Sequence, residues 1–324
     1  MQNKYIYKFN EFLKKRVGIL FAIFSVVCVI ANLPSLNYLT DIFSHFKLQY
    51  IYCSLLFFGF FIYLSFFYTK YIFYLFFTLV LVVLNSVDIL SNLQKQTNDF
   101  GLKNYIKIGL FNVLTKNNNY NLVLDEIYKE KPNIVVLQEV DDKWLEKVSS
   151  LKEIYPYFVE HSRDDNFGIS LYSNIPIKTS KIEKWTDYQI PVISAKLKDK
   201  GEEIFIVAVH TLPPLGVEYF NIRNEMFENI ASRFDKNNKT IILGDFNTTI
   251  YSPYYKKYFK SEKILDAGVV TGNLYEGTWN AFWVAPFRIT LEHVLSTKNM
   301  KPIMYKNGGF VGSDHYPVFV DFMY

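Results

Sequence analysis

The chain has 324 residues, enough for two domains of ordinary size, and a formal net charge of +4. Residues 1–100 hold 8 Lys/Arg against 4 Asp/Glu, and residues 101–324 hold 27 of each, so bulk charge argues against a broad basic face for nucleic acid on the longer part. Both cysteines, Cys28 and Cys53, lie in apolar segments of the first hundred residues, which excludes a disulfide or a Cys-based zinc site in the rest.

Three uncharged apolar runs come first in chain order: Val17–Leu33, Tyr50–Tyr68 and Tyr71–Val87. A helix rising 1.5 Å per residue crosses roughly 30 Å of hydrocarbon with a run of this length, so the pattern predicts three transmembrane helices within residues 1–90. A cleaved signal peptide explains the first run alone, and the runs are apolar on every side rather than striped like the helices of a soluble core. Lys4, Lys8, Lys14, Lys15 and Arg16 precede the first run, and Thr69-Lys70 forms a basic turn between the second and third. Positive charge favours the cytoplasm. The expectation is an integral protein of the cell (inner) membrane, its N-terminus cytoplasmic and its polar part extracytoplasmic. Residues 91–103 are polar and aperiodic and read as a linker, reaching at most about 40 Å at roughly 3.3 Å per residue.

From residue 104 onward, strands and helices alternate. Asn104–Phe111 alternates in strand fashion, Asn121–Glu130 carries a helical stripe that Pro132 ends, and Asn133–Gln138 is a fully apolar strand. Asp141–Ser150 reads as a helix, followed by strands at Tyr155–Glu160, Gly168–Ser173, Val192–Lys198 and Glu203–His210. A helix at Val217–Phe234 precedes strands at Thr240–Leu243, Thr278–Trp283, Leu291–Ser296 and Pro317–Phe322. There is no internal repeat, GxGxxG, Walker loop or Cys/His zinc spacing.

Polar residues stand at the strand ends: Asn112, Glu139, His210, Asp245 with Asn247, and His315. Gly244-Asp245-Phe246-Asn247 follows an apolar strand, and Gly312-Ser313-Asp314-His315 precedes one. Strand ends are where an open α/β sheet shows side chains to a ligand. Acid, amide and imidazole groups together can activate water and stabilise phosphate chemistry on a metal. Each residue alone has an ordinary reading: Asp245 and Asn247 as turn formers, Glu139 as a first-turn acid, and His210 as a satisfied strand histidine.

The ordered set Phe111-Asn112, Gln138-Glu139, Val209-His210-Thr211, Gly244–Asn247, Glu292-His293-Val294 and Ser313–Pro317 resembles the endonuclease/exonuclease/phosphatase (DNase-I-like) superfamily. The resemblance covers about residues 104–324. It implies a four-layer α/β sandwich, two packed mixed sheets flanked by helices, after the membrane helices. It also implies Glu139 as a metal-binding carboxylate, with Asn112 and Asp314 contributing to a site for Mg²⁺ or, alternatively, Mn²⁺. Asp245 would orient or deprotonate the attacking water, and Asn247 would hold a phosphate oxygen. His315 would handle protons or phosphate charge, and His210 would contact phosphate or the leaving oxygen. One departure stands out: Glu292 occupies the position where the family usually has Asp, and is expected to orient His315 through an arm one methylene longer.

Three further features carry weaker expectations. Arg223 reads as a solvated helix residue, with a substrate-phosphate contact as the minority reading. The stretch Tyr251–Lys260 mixes aromatic and basic residues and reads first as an amphipathic helix, then as a base-stacking or lipid-interface segment. Trp279 and Trp283 read as core or pocket wall. The sequence as a whole reads as a membrane-anchored, metal-dependent phosphoesterase cleaving a phosphodiester, with a lipid headgroup, nucleotide or nucleic acid as substrate. A nuclease and a catalytically weak tethered binding module are the alternatives.

Overall fold

The structure, a computed structural model, describes residues 2–34, 36–92 and 104–324; the proposed linker lies almost wholly outside the described residues. Two compact units are present, one built on the N-terminal helices and one on two β-sheets.

The first unit holds α1 (Gln2–Ala31), α2 (Tyr38–Ser44), α3 (Lys47–Ser65) and α4 (Tyr71–Leu90). Among the described residues, α3 and α4 are long and apolar enough to cross a membrane, and about a fifth of each window is buried (22% and 17%), so most of their apolar surface faces outward. The expected first span differs: α1 is one continuous helix whose apolar portion is Arg16–Ala31, shorter than the ~20 residues a crossing needs, because the Lys-rich segment occupies its N-terminal half. Two helices, rather than three, meet the requirement. Aromatic rings of Phe21, Phe57, Phe61 and Tyr74 interlock α1, α3 and α4. At one end Lys47 Nζ donates to Ala31 O (2.9 Å) and Asn32 Oδ1 (2.5 Å) and stands 3.4 Å from Asp88 Oδ2. Asn32 Nδ2 also donates to Asn85 Oδ1 (3.0 Å), so Asn32, Lys47, Asn85 and Asp88 form one polar cluster at this end.

The second unit contains β1 (Tyr105–Asn112), α5 (Tyr120–Glu130), β2 (Ile134–Gln138), α6 (Asp142–Lys147), α7 (Leu151–Ile154), β3 (Tyr157–His161), β4 (Ile169–Ser173), β5 (Ile177–Lys184), β6 (Pro191–Asp199) and β7 (Glu202–His210). It continues through α8 (Val217–Ser232), β8 (Lys239–Asp245), α9 (Pro253–Phe259), β9 (Ile264–Asp266), α10 (Ala267–Thr271), β10 (Glu292–Thr297), β11 (Lys301–Asn307) and β12 (Val318–Met323). Two six-stranded mixed sheets result, ordered β11-β12-β1-β2-β4-β3 and β5-β6-β7-β8-β10-β9. Each has one parallel pair near its centre, β1/β2 and β7/β8, joined by a crossover that includes a helix, α5 or α8. These are the two mixed, helix-flanked sheets of the expected sandwich.

Burial explains why β2 reads as continuously apolar. Ile134 and Val136 join the core between the sheets with Ile108, Leu110, Ile206 and Leu243. Val135 and Leu137 point the other way, onto Val123 and Ile127 of α5 and Trp144 of α6. Asp141 starts α6 by accepting from Trp144 N (2.7 Å). The sequence missed β5, whose outward residues are mostly exposed and polar, and it missed the short β9 and β11. The expected strand Thr278–Trp283 is not one: only Trp279 makes isolated bridges, to Ile289 and His315, before a turn that contains Pro286. The stretch Tyr251–Lys260 does contain the helix α9, with Tyr255 and Phe259 buried, as its amphipathic reading predicts.

Candidate active site

Strand register brings the site residues into two rows. In the first sheet Asn112 at the end of β1 lies opposite Gln138 at the end of β2, and Glu139 follows with φ +64°. In the second, His210 of β7, Asp245 of β8 and Glu292 of β10 are side by side. Gly244 is required beneath this row, since a Cβ there would sit 1.7 Å from the Val209 carbonyl oxygen. The Gly312–His315 loop, turned at Gly312 (φ +85°), supplies Asp314 and His315 just before β12.

Gln138 joins the rows. Its Nε2 donates to Val209 O (2.5 Å) and its Oε1 accepts from Asp245 N (3.0 Å). Asn112 Nδ2 donates to Glu139 Oε1 (2.8 Å) and reaches Asp245 Oδ2 at 3.4 Å. His210 Nε2 and His315 Nε2 stand 3.8 and 3.7 Å from that same Asp245 oxygen. Glu292 Oε1 bonds His315 Nδ1, so the longer glutamate arm reaches the imidazole. Asn247 (φ +47°) donates its backbone N to Asp245 Oδ1 (2.7 Å) and its Nδ2 to Thr211 O (2.8 Å). Asn112, Glu139, His210, Asp245, Glu292, Asp314 and His315 therefore share one cleft, and Asn247 braces it.

Arg223 is a correction. Its side chain is fully buried, its Nη1 donates to Asn247 O (3.2 Å), and its guanidinium lies between the rings of Phe220 and Phe227. It supports the Asn247 turn from behind and does not face a substrate. Two residues that the sequence reading gave no site role also belong here, Gln138 and Ser313, together with Trp279, which it read as core or pocket wall. Ser313 Oγ donates to Asn112 O (2.8 Å) and accepts from His315 N (3.1 Å). Trp279 Nε1 donates to Asp314 Oδ2 (3.1 Å). Gln138 had one signal, its place beside Glu139; the pairing of Trp279 across the chain had none.

Burial sets the charges. The His210 imidazole is pulled down to about 3, first by burial and then by the charge of His315, and is neutral. Burial pulls His315 the same way, but Glu292, through its charge and its hydrogen bond, together with Asp245 and Asp314, raises it to about 10. Glu292, raised by burial but lowered further by His315, stays below the usual carboxylate range. Asp245 is raised to about 7, mainly by burial and against the opposing charge of His315. Glu139 is raised, chiefly by burial. Titratable neighbours driven apart in this way mark acid and base partners.

Glu139 Oε2 and Asp314 Oδ1 are buried without a hydrogen-bond partner among the described residues. Orphaned carboxylate oxygens beside a strongly desolvated acid suit a hard divalent cation. Donor atoms of Asp245, Glu292 and His315 also lie within 4.8 Å of one another. In that trio Glu292 Oε1 and His315 Nδ1 already bond each other, and Glu292 Oε2 has no hydrogen-bond partner among the described residues. A cavity of about 330 Å³ lined by Lys181, Lys196, Phe205 and Arg233 contains none of these groups.

The profile of the Endonuclease/Exonuclease/phosphatase family matches residues 109–315, from β1 to the second histidine of the cleft. The chain belongs to this family. Family enzymes use divalent metals, in keeping with the donors of the cleft. No curated protein matches the chain by sequence. Solved structures share the fold at low identity. TDP2 of D. rerio, complexed with a single-strand DNA product, is 15% identical at a TM-score of 0.58 over 68% of this chain and 99% of its own. An endonuclease/exonuclease/phosphatase of Bacteroides vulgatus is 18% identical at 0.58, over 68% and 99%. The human Nocturnin catalytic domain, with bound sulfate, is 20% identical at 0.54, over 68% and 94%.

Proposed function

We propose that the chain is a membrane-anchored, divalent-metal-dependent phosphodiesterase. The observation that carries this reading is the meeting, in one cleft, of orphaned oxygens on Glu139 and Asp314 with the Asp245–His315–Glu292 chain. A bound Mg²⁺ or Mn²⁺ would be held by Glu139 and Asp314, with Asn112 beside them, and would supply Lewis-acid polarisation of a phosphoryl oxygen. Asp245 orients the attacking water and accepts its proton, while Asn112 and Asn247 hold its carboxylate in place. His315, kept cationic by Glu292, faces the charge that develops on phosphorus-bound oxygen. Neutral His210, backed by the Phe167 ring at 5.0 Å, contacts phosphate or the leaving oxygen.

Two apolar helices whose surfaces face mostly outward support the anchor. The second reading, a nuclease, rests on the single-strand DNA product held by the fold neighbour from D. rerio. The test is the full chain in detergent micelles, assayed on a panel of phosphodiesters, phosphomonoesters and oligonucleotides with Mg²⁺, with Mn²⁺ and with EDTA. Metal-dependent diester cleavage that Asp245→Asn abolishes supports the proposal. Preferred cleavage of oligonucleotides, weakening steeply with salt, would favour the nuclease. Activity that EDTA leaves intact would end the metal assignment.

A further inference from the structure

An apolar shelf adjoins the cleft. Residues 279–288 run Trp-Asn-Ala-Phe-Trp-Val-Ala-Pro-Phe-Arg, and within them Phe282, Trp283, Val284 and Phe287 are 62, 46, 65 and 53% exposed. Trp283, Val284 and Phe287 line an open depression of about 390 Å³. Four large apolar side chains so exposed within six residues form a patch that soluble surfaces seldom carry without a use.

The patch is continuous with the catalytic groups. Trp279 holds Asp314 through its indole N–H, and its ring lies 5.6 Å from that of Trp283. From the other side Tyr316, next to His315, contacts Phe310 (6.2 Å), which contacts Phe282 (5.8 Å). Whatever sits on the shelf therefore adjoins the cleft.

Charge separates the candidate occupants. A nucleic-acid strand needs cations to follow its backbone between stacked bases. Arg288 is the one cation of this segment; its guanidinium lies 4.6 Å over the Tyr316 ring and its Nε donates to Trp283 O (2.8 Å). Trp and Phe beside Val, Ala and Pro, with no basic residue interleaved, suit the interface between headgroups and acyl chains.

We propose that Phe282, Trp283, Val284 and Phe287 form a lipid-facing shelf, so that the substrate of the cleft is a lipid phosphodiester presented by a bilayer. The inference rests on the phosphodiesterase reading for its chemistry and names the substrate class. The phosphodiester enters the cleft while the shelf rests among the acyl chains beside it.

The test uses the full chain in vesicles of phosphatidylcholine, phosphatidylglycerol and sphingomyelin, with and without brominated acyl chains, against Val284→Ser/Phe287→Ser. Trp283 emission is isolated by subtracting Trp283→Phe. The bromolipid should quench it in the parent and several-fold less in the double variant. Release of phosphorylated headgroup should fall about tenfold in the double variant, the scale expected for losing one or two buried apolar side chains. Hydrolysis of water-soluble bis(p-nitrophenyl) phosphate should stay within about twofold. Unquenched Trp283, equal lipid turnover in both forms, or a loss confined to a single-stranded oligonucleotide would overturn the proposal. A parent that hydrolyses neither lipid nor soluble diester would defeat the phosphodiesterase reading, while quenching would still decide what the shelf touches.

Discussion

The two sheets are built alike and contribute unlike chemistry. Each centres on a parallel pair whose C-terminal ends open into the cleft, β1/β2 on one side and β7/β8 on the other. The first sheet presents oxygens without a hydrogen-bond partner among the described residues, on Glu139 and on Asp314 of the loop leading into β12. The second presents His210, Asp245 and Glu292: Glu292 bonds His315 of that same loop and Asp245 lies between two imidazoles, while Glu292 Oε2 and His210 Nδ1 also have no hydrogen-bond partner among the described residues. One topology thus yields an end poised for a cation and an end poised for a proton. The contrast lies in the leading neighbours: Asp245 and Glu292 face imidazoles that can trade protons with them, whereas Glu139 accepts from the Asn112 amide and Asp314 from the Trp279 indole, which cannot.

The sharpest break of this comparison is Asp245→Asn, which removes the acceptor from the proton end. The rate constant for a diester should drop by about 10³–10⁴ or more, measured at saturating metal. The same change should stabilise the metal-free protein. Asp245 binds its proton more tightly folded, at about 7, than unfolded, so the parent loses stability as pH rises from the ordinary carboxylate range to about 7. Melting of the metal-free forms at pH 5 and pH 8 should show the variant gaining more at pH 8; an equal gain at both would contradict the buried, proton-holding Asp245.

Glu292→Gln tests the pair that spans the sheets. Without the carboxylate, His315 loses its leading source of elevation, so the rate should fall by about 10²–10³ and its alkaline limb should move to lower pH. An unchanged pH profile would leave Glu292 a structural residue.

Glu139→Gln probes the cation end. The Mg²⁺ concentration for half-maximal activity should rise at least about tenfold, with saturating metal restoring part of the rate. A rate loss with unaltered metal dependence would separate Glu139 from the metal.

Gln138→Leu should act on stability rather than chemistry. It strips partners from Asp245 N and Val209 O, at about 1–3 kcal/mol for each buried group left unpaired, read by denaturant unfolding. Arg223→Met should give the smallest effect on turnover, because Arg223 is fully buried and reaches the Asn247 turn from its rear. A large rise in KM in that variant would restore a substrate contact for it.

Much of this was legible in the chain because the signals were local. Apolar β2 and β8 ending in polar residues, Pro132 after α5, and the Asp245–Asn247 and Ser313–His315 clusters are each contained in a few consecutive residues. The exposed edge strand β5 was not legible, since Lys178, Lys181 and Lys184 blur its alternation. Nor was the length of the first apolar helix: its run continues past Ala31 in the sequence, whereas the helix ends there.

The sequence by itself determined which residue types stand at the ends of buried strands, and therefore that acid, amide and imidazole groups were available to a phosphate. Only the tertiary structure decided their states. That Glu292 rather than Asp reaches His315, that Gln138 stitches one sheet to the other, and that Arg223 faces inward all depend on contacts between residues 23 to 107 positions apart. Pairing across such separations is set by sheet register and packing, which no local pattern encodes, and burial then moves the protons.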